Sequence, residues 1–350
     1  MKKTLFLACF MLAFTNAISQ KKSNRYKIRT IAFYNLENLF DTINAPNIMD
    51  EESPIMKLKG SKSKVYWDKI DKLGFVISQI GLEKTKTSPA IIGVCEIENR
   101  KVLEDLIHSK HLKDKDYQII HYDSPDRRGI DVAFLYQAAY FKPIHHESFN
   151  PNIYSEGKKI YTRDQLLVSG YLDDELIHLV INHWPSRRGG EKRSRPSREK
   201  AAYQNTKIIE QIRKTSANAK ILLLGDFNDS PTNSSLKKVL KSKGKINDLL
   251  KNDLYNPYEK LFKQGYNTLG YRDNINLFDQ ILLSAPFLNL EEKNYSTYKL
   301  FQANIFNKRF IITQKGRFKG YPFRSFSYGK YLGGYSDHYP VYVYLVKEFL

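Results

Sequence analysis

Ile221-Leu222-Leu223-Leu224-Gly225-Asp226-Phe227-Asn228 is the stretch that decides how this chain reads. Four consecutive apolar residues make a strand buried on both faces, as in α/β proteins, and Asp226 and Asn228 close it. Polar side chains at the end of such a strand are costly unless they serve a site. One residue apart, they point to the same side if the chain stays extended. Asp226 is then placed to orient a water for in-line attack while Asn228 holds a phosphate oxygen. Gly-Asp-x-Asn is also good turn chemistry, so the motif gains its meaning from four companions.

Those companions are Asn35-Leu36-Glu37, Cys95-Glu96, Asn182-His183 and Ser336-Asp337-His338. Glu96 follows Ile91 to Cys95 without a break, and a carboxylate there is a natural hard-oxygen ligand for Mg²⁺. Glu98 either shares that role or opens the next helix, where acidic residues are favoured. Asn35 fixes a ligand carboxylate or a phosphate oxygen; Glu37 approaches the metal or opens a solvated loop. Asp337 supplies a second carboxylate on the metal side, and His338 a proton-transfer or charge-stabilising imidazole. Asp279 lies within the apolar run Leu277 to Ile281 and needs a partner, for which orienting His338 is the economical choice. His183 either serves a phosphoryl oxygen or leaving alkoxide, or is structural.

Basic residues surround these motifs. The segment from Trp184 to Pro196 carries Arg187, Arg188, Lys192, Arg193 and Arg195, and reads either as a nucleic-acid clamp or as a solvated loop. Arg128 and Arg163 each lead into a strand and are further candidates for a phosphate contact. Aromatic and basic residues alternate between Phe318 and Tyr331, a composition that suits base stacking. The formal charge of +19 fits a polyanionic partner and counts against a cationic substrate. Gly-x-Ser-x-Gly, His-Glu-x-x-His and P-loop motifs are all missing from the sequence. Cys95 sits in a buried strand with no histidine base near it in sequence, which makes a thiol nucleophile a poor reading.

Of the 350 residues, the first 19 are expected to be a signal peptide. Met1-Lys2-Lys3 is a positive n-region, Thr4 to Phe14 an apolar stretch too short to span a bilayer, and Ala17-Ile18-Ser19 a cleavage site. Removal takes Cys9 and leaves Cys95 alone, so no internal disulfide is expected. The remainder, 20–350, is expected to form one secreted or periplasmic catalytic domain, a monomer with no transmembrane segment and no protein partner. Strands are expected at Ile28–Asn35, Ala90–Cys95, Tyr117–His121, Ile130–Tyr136, Leu166–Tyr171, Leu176–Ile181, Ile221–Leu224, Leu277–Leu283 and Val341–Leu345. Helices are expected near 65–80, after Val102, and from an N-cap at Ser197.

Taken in order, these motifs resemble the endonuclease/exonuclease/phosphatase superfamily over nearly the whole mature chain, from Tyr34-Asn35 to Asp337-His338. The resemblance implies a four-layered α/β sandwich, two packed mixed β-sheets flanked by α-helices, with the site at one edge. It implies a metal site of Asn35, Glu37, Glu96 and Asp337 holding Mg²⁺ or Mn²⁺, with Ca²⁺ as an alternative. It gives His183, Asp226, Asn228, Asp279 and His338 catalytic roles. Glu37 stands where relatives often have Asp, and Cys95 where many have Gln. The implied function is a nuclease. A phosphatase or sphingomyelinase-type phospholipase is the alternative, and a catalytically silent nucleic-acid-binding protein a second one.

Overall fold

The computed structural model describes residues 25–271, 274–289 and 294–349; the expected signal peptide lies outside them. Two six-stranded mixed sheets form the centre. Sheet one contains β1 (Arg25–Leu39), β2 (Ile91–Ile97), β3 (Tyr117–His121) and β4 (Asp131–Gln137). Sheet two contains β5 (Phe141–Phe149), β6 (Gln165–Leu172), β7 (Glu175–His183), β8 (Ile221–Asp226), β9 (Leu254–Tyr255) and β10 (Asp279–Ser284). The chain then returns to sheet one with β11 (Lys299–Ile305) and β12 (Val341–Phe349). The orders are β11-β12-β1-β2-β4-β3 and β9-β10-β8-β7-β6-β5. Each sheet has one parallel pair at its middle, β1–β2 and β7–β8.

Alternation along the strands builds the layers. In β1, Ile31 and Phe33 face sheet two and pack with Leu179, Ile181, Leu222 and Leu224. Their neighbours Ala32 and Tyr34 face outward and join Ile70, Leu73 and Ile77 of helix α1 (Lys62–Gln79) and Leu103 and Leu106 of α2 (Arg100–Ile107). On the far side, Val180, Ile221 and Leu223 pack against Ala201, Ile208 and Ile212 of α3 (Glu191–Thr215). The result is the expected four-layered α/β sandwich. The parallel strands end on a common edge, where ligand sites of such sheets form. No helix of the described residues is long and apolar enough to cross a membrane.

The differences from the sequence reading concern the basic segment and three edge strands, β5, β9 and β11. Helix α3 begins at Glu191 after Gly190, not at Ser197, and runs through Pro196. Glu191 holds this early turn by pairing with Arg195 at 2.8 Å, so the loop is shorter than it reads. Strand β5 escapes detection because Pro143, His145 and His146 interrupt any apolar pattern. It lies at a sheet edge, where proline and exposed polar residues are tolerated.

Candidate active site

Asp226 ends β8, and its register neighbours are His183 at the end of β7 and Asp279 at the start of β10. One row across sheet two therefore carries all three. Gly225 lets the strands approach, because a Cβ there would lie 2.4 Å from the Asn182 carbonyl oxygen. Sheet one contributes Asn35 and Glu96 from the adjacent strands β1 and β2; β1 bulges at this edge against β2, and β2 against β4. Glu37, Asn38, Glu96 and Asn228 hold positive φ angles of 48°, 50°, 59° and 50°. Asparagine tolerates that conformation, but glutamate adopts it only where its surroundings enforce it, and such strain gathers at functional sites.

The side chains converge on Asp226. Asn35 Nδ2 donates to Glu96 Oε1 at 3.1 Å and to Asp226 Oδ2 at 3.2 Å, bridging the two sheets. His183 Nε2 lies 3.9 Å from Glu96 Oε1 and 3.7 Å from Asp226 Oδ2. The Asn38 N–H donates to Glu96 Oε2 at 3.0 Å, and the Asn228 N–H to Asp226 Oδ1 at 2.9 Å. His338 Nε2 stands 4.0 Å from Asp226 Oδ2, while its Nδ1 shares a 2.7 Å hydrogen bond with Asp279 Oδ2. Ser336 locks this segment to β1 by donating its hydroxyl to the Asn35 carbonyl at 2.7 Å.

Burial and neighbouring charge set the protonation states. Burial pushes the Asp226 carboxyl up to about 7, with His338 opposing and the Asp279 and Glu96 carboxylates adding to the rise. His183 is held well below the ordinary imidazole range by burial and by the Arg163 and Arg128 guanidiniums, so it is neutral. Burial would also lower His338, but the Asp279 carboxylate outweighs it and holds the ring well above that range. One histidine is therefore a neutral donor or ligand, the other an imidazolium.

Glu96, His183 and Asp226 bring their ligand atoms within 4.8 Å of one another. Two carboxylates and a neutral imidazole suit a divalent cation, and the disfavoured charge on Asp226 is what such a cation would relieve. Asp226, Asp279 and His338 lie equally close together, but a cationic imidazole bonded to a carboxylate is a poor ligand.

Two expected metal ligands sit apart from this group. Glu37 turns its carboxylate to the backbone N–H groups of Ser325 and Phe326, at 2.5 Å and 3.1 Å, and anchors the loop that leads to Asp337. Asp337 pairs with Arg324 at 2.8 Å. Neither direction is readable from sequence, since it depends on which loop packs over β1. Glu98 likewise faces away, accepting from the Asp41 N–H at 2.7 Å.

Burial raises the Glu98 carboxyl to about 7. Its protonated form therefore favours the fold, and that advantage, full below the ordinary carboxylate range, is lost as pH rises through 7. Glu98→Gln is expected to raise stability by about 1 kcal/mol at pH 8, discounted for partial solvent access, and to change little at pH 4. Paired thermal melts at the two pH values check this; equal shifts at both would rule it out.

The basic segment also behaves differently from its sequence reading. Arg187 faces inward, donating to the Asn228 carbonyl at 2.9 Å and pairing with Asp229 at 2.9 Å. Arg198, missed in the sequence, is fully buried against the same Asp229 at 2.8 Å. Arg163 donates to Asp126 and, at 2.6 Å, to the Trp184 carbonyl, which also accepts from Asn228 Nδ2 at 3.0 Å. These arginines hold the Asp226–Asn228 turn in place. Cys95 is fully buried and its thiol pKa raised well above the usual range, so it is no nucleophile.

A family model described as Endonuclease/Exonuclease/phosphatase family matches residues 30–347. The chain belongs to this family of metal-dependent phosphoesterases. No curated protein matches it. Among solved structures, it is similar to an endonuclease/exonuclease/phosphatase family protein from Bacteroides thetaiotaomicron, with 17% identity, TM-score 0.52, and 93% and 100% of the two chains covered. A mannosyl-6-phosphatase from the same organism shows 17% identity and TM-score 0.52, over 91% of this chain and 99% of that one. TDP2 from D. rerio, complexed with single strand DNA product, shows 14% identity and TM-score 0.51, over 91% and 98%.

Proposed function

We propose that this protein is a secreted nuclease that hydrolyses phosphodiester bonds of nucleic acid by in-line attack of water. The convergence of Asn35, Glu96, Asp226 and the Asp279–His338 pair on one point carries the reading, in a chain of formal charge +19. The resemblance of the fold to TDP2, solved with a DNA product, supports the choice of substrate.

In this reading Asp226 orients the attacking water and takes its proton. Asn35 fixes the Glu96 and Asp226 carboxylates relative to each other. Asn228 offers the second N–H of its carboxamide to a phosphoryl oxygen. The His338 imidazolium stabilises charge developing on the phosphoryl group, and Asp279 keeps that ring oriented and charged. His183, neutral, lies beside both carboxylates of the metal site. Glu96, His183 and Asp226 would hold Mg²⁺ or Mn²⁺, which supplies Lewis-acid polarisation of the phosphoryl oxygen.

Incubating the mature protein with plasmid, single-stranded RNA, sphingomyelin, inositol polyphosphate and mannose 6-phosphate tests the substrate class. Cleavage of plasmid or RNA with Mg²⁺ or Mn²⁺, abolished by EDTA, is the expected result. Turnover of lipid or phosphomonoesters alone would overturn the nuclease assignment and leave a phosphatase or phospholipase.

A further inference from the structure

The hairpin formed by Phe326–Ser327 and Lys330–Tyr331 presents Tyr328 at its tip. Tyr328 is 93% exposed, more than any other large apolar side chain among the described residues. Ser327 pairs with Lys330, leaving a two-residue turn in which Tyr328 and Gly329 have φ angles of 47° and 70°. That is a type I′ turn, whose first position is ordinarily Asn, Asp or Gly. Tyrosine gains nothing there: the backbone conformation is unfavourable for it and the ring meets solvent. Strain of this kind on a fully exposed aromatic points outside the folded chain.

The stem below the tip is rigid and tied to the site. Glu37, two residues after Asn35, accepts from the Ser325 and Phe326 N–H groups. The buried Lys69 donates to the Ser325 hydroxyl at 2.6 Å and lies 5.5 Å from the centre of the Phe326 ring. Tyr331 donates to Asp68, and Lys72 to the Gly333 carbonyl at 2.7 Å. The same loop reaches Asp337 through Arg324 at 2.8 Å, next to His338. Tyr328 stands two residues beyond the N–H that Glu37 holds, about 7 Å of extended chain.

We propose that Tyr328 is a substrate-recognition residue that stacks on a nucleobase within a few nucleotides of the scissile phosphate. The inference rests on the nuclease reading above. A planar aromatic ring on a rigid support stacks on any base, and the exposed Lys330 two residues on suits a flanking phosphate. A lipid-inserting tip would need several adjacent apolar side chains, whereas Ser327, Gly329 and Lys330 surround this one.

Tyr328→Asn tests it without endangering the fold, because asparagine is a preferred residue for this turn. The substrates are a single-stranded oligonucleotide and the same oligonucleotide carrying abasic sites around its cleavage position. Tyr328→Asn is expected to raise KM on the intact strand about tenfold with kcat little changed, while Tyr328→Phe and Tyr328→Trp retain the wild-type KM. Abasic substitution is expected to weaken the wild type similarly and Tyr328→Asn no further. An unchanged KM for Tyr328→Asn overturns the inference, as do equal losses on both strands. Loss of binding to phosphatidylcholine–sphingomyelin vesicles, with oligonucleotide kinetics intact, assigns the tip to a membrane and also overturns it. If the wild type hydrolyses bis(p-nitrophenyl) phosphate but no nucleic acid, the nuclease reading itself fails.

Discussion

Asp226→Asn is expected to lower kcat roughly 10³- to 10⁴-fold while leaving the fold intact. Asn35, His183, Asn228 and His338 all lie within 4.0 Å of its carboxylate oxygens. The substitution keeps the size of the side chain and an oxygen for the Asn228 N–H, but removes the base. Its effect on stability runs the other way. The carboxyl is raised to about 7, above its ordinary range, so the ionised form opposes folding. The stability associated with the protonated form is present at low pH and lost as pH climbs through 7. An uncharged amide escapes that loss, and the metal-free variant should melt higher than the metal-free wild type at pH 8. Steady-state rates with circular dichroism and thermal melts measure both effects. Turnover within tenfold of wild type would remove Asp226 from the centre of the mechanism.

Asp279→Asn is expected to cost roughly 10²- to 10³-fold in kcat, with a change in pH dependence that a merely structural role would not produce. Burial alone lowers the His338 pKa, and the 2.7 Å bond to Asp279 reverses that effect. Without the carboxylate, burial is opposed by the weaker fields of Asp226 and Asp337, and the ring deprotonates at a lower pH than in the wild type. The wild type keeps its imidazolium through neutrality. The variant should lose activity as pH rises through the depressed His338 pKa, moving the alkaline limb of the profile to lower pH. Rate–pH profiles, with NMR titration of the His338 ring, measure the shift. An unmoved limb would show that Asp279 is not what charges His338.

Much of the layering is legible in the sequence because it depends on local pattern. Runs such as Ile221–Leu224 and Ile91–Cys95 read as buried strands, and the polar residues that end them then fall at the sheet edge. An isolated carboxylate in the apolar run around Asp279 calls for a partner, and His338 is found there at 2.7 Å. Side chains on loops are different. Glu37 reads either as approaching the metal or as opening a solvated loop, yet a bulge turns it, buried, toward residues 325 and 326. Arg187 reads as part of either a nucleic-acid clamp or a solvated loop, and Arg163 as one candidate for a phosphate contact, yet both are spent on buried carbonyls and carboxylates that hold the Asp226–Asn228 turn. Strand β5 stays hidden because an edge strand needs no apolar alternation.

The sequence by itself determined the chemical inventory: buried strands tipped with Asn35, Glu96, His183, Asp226 and Asn228, and an Asp-His pair before the last strand. Short-range patterning suffices for that, because burial of a strand and exposure of its end are both written in consecutive residues. Only the tertiary structure decided which of these groups meet. Opposed sheets bring Asn35 to Asp226 across 191 positions of sequence, and loop packing turns Glu37 away from a site two residues distant. The charge states follow from the same packing. Burial and neighbouring arginines make His183 neutral, while a buried carboxylate makes His338 an imidazolium.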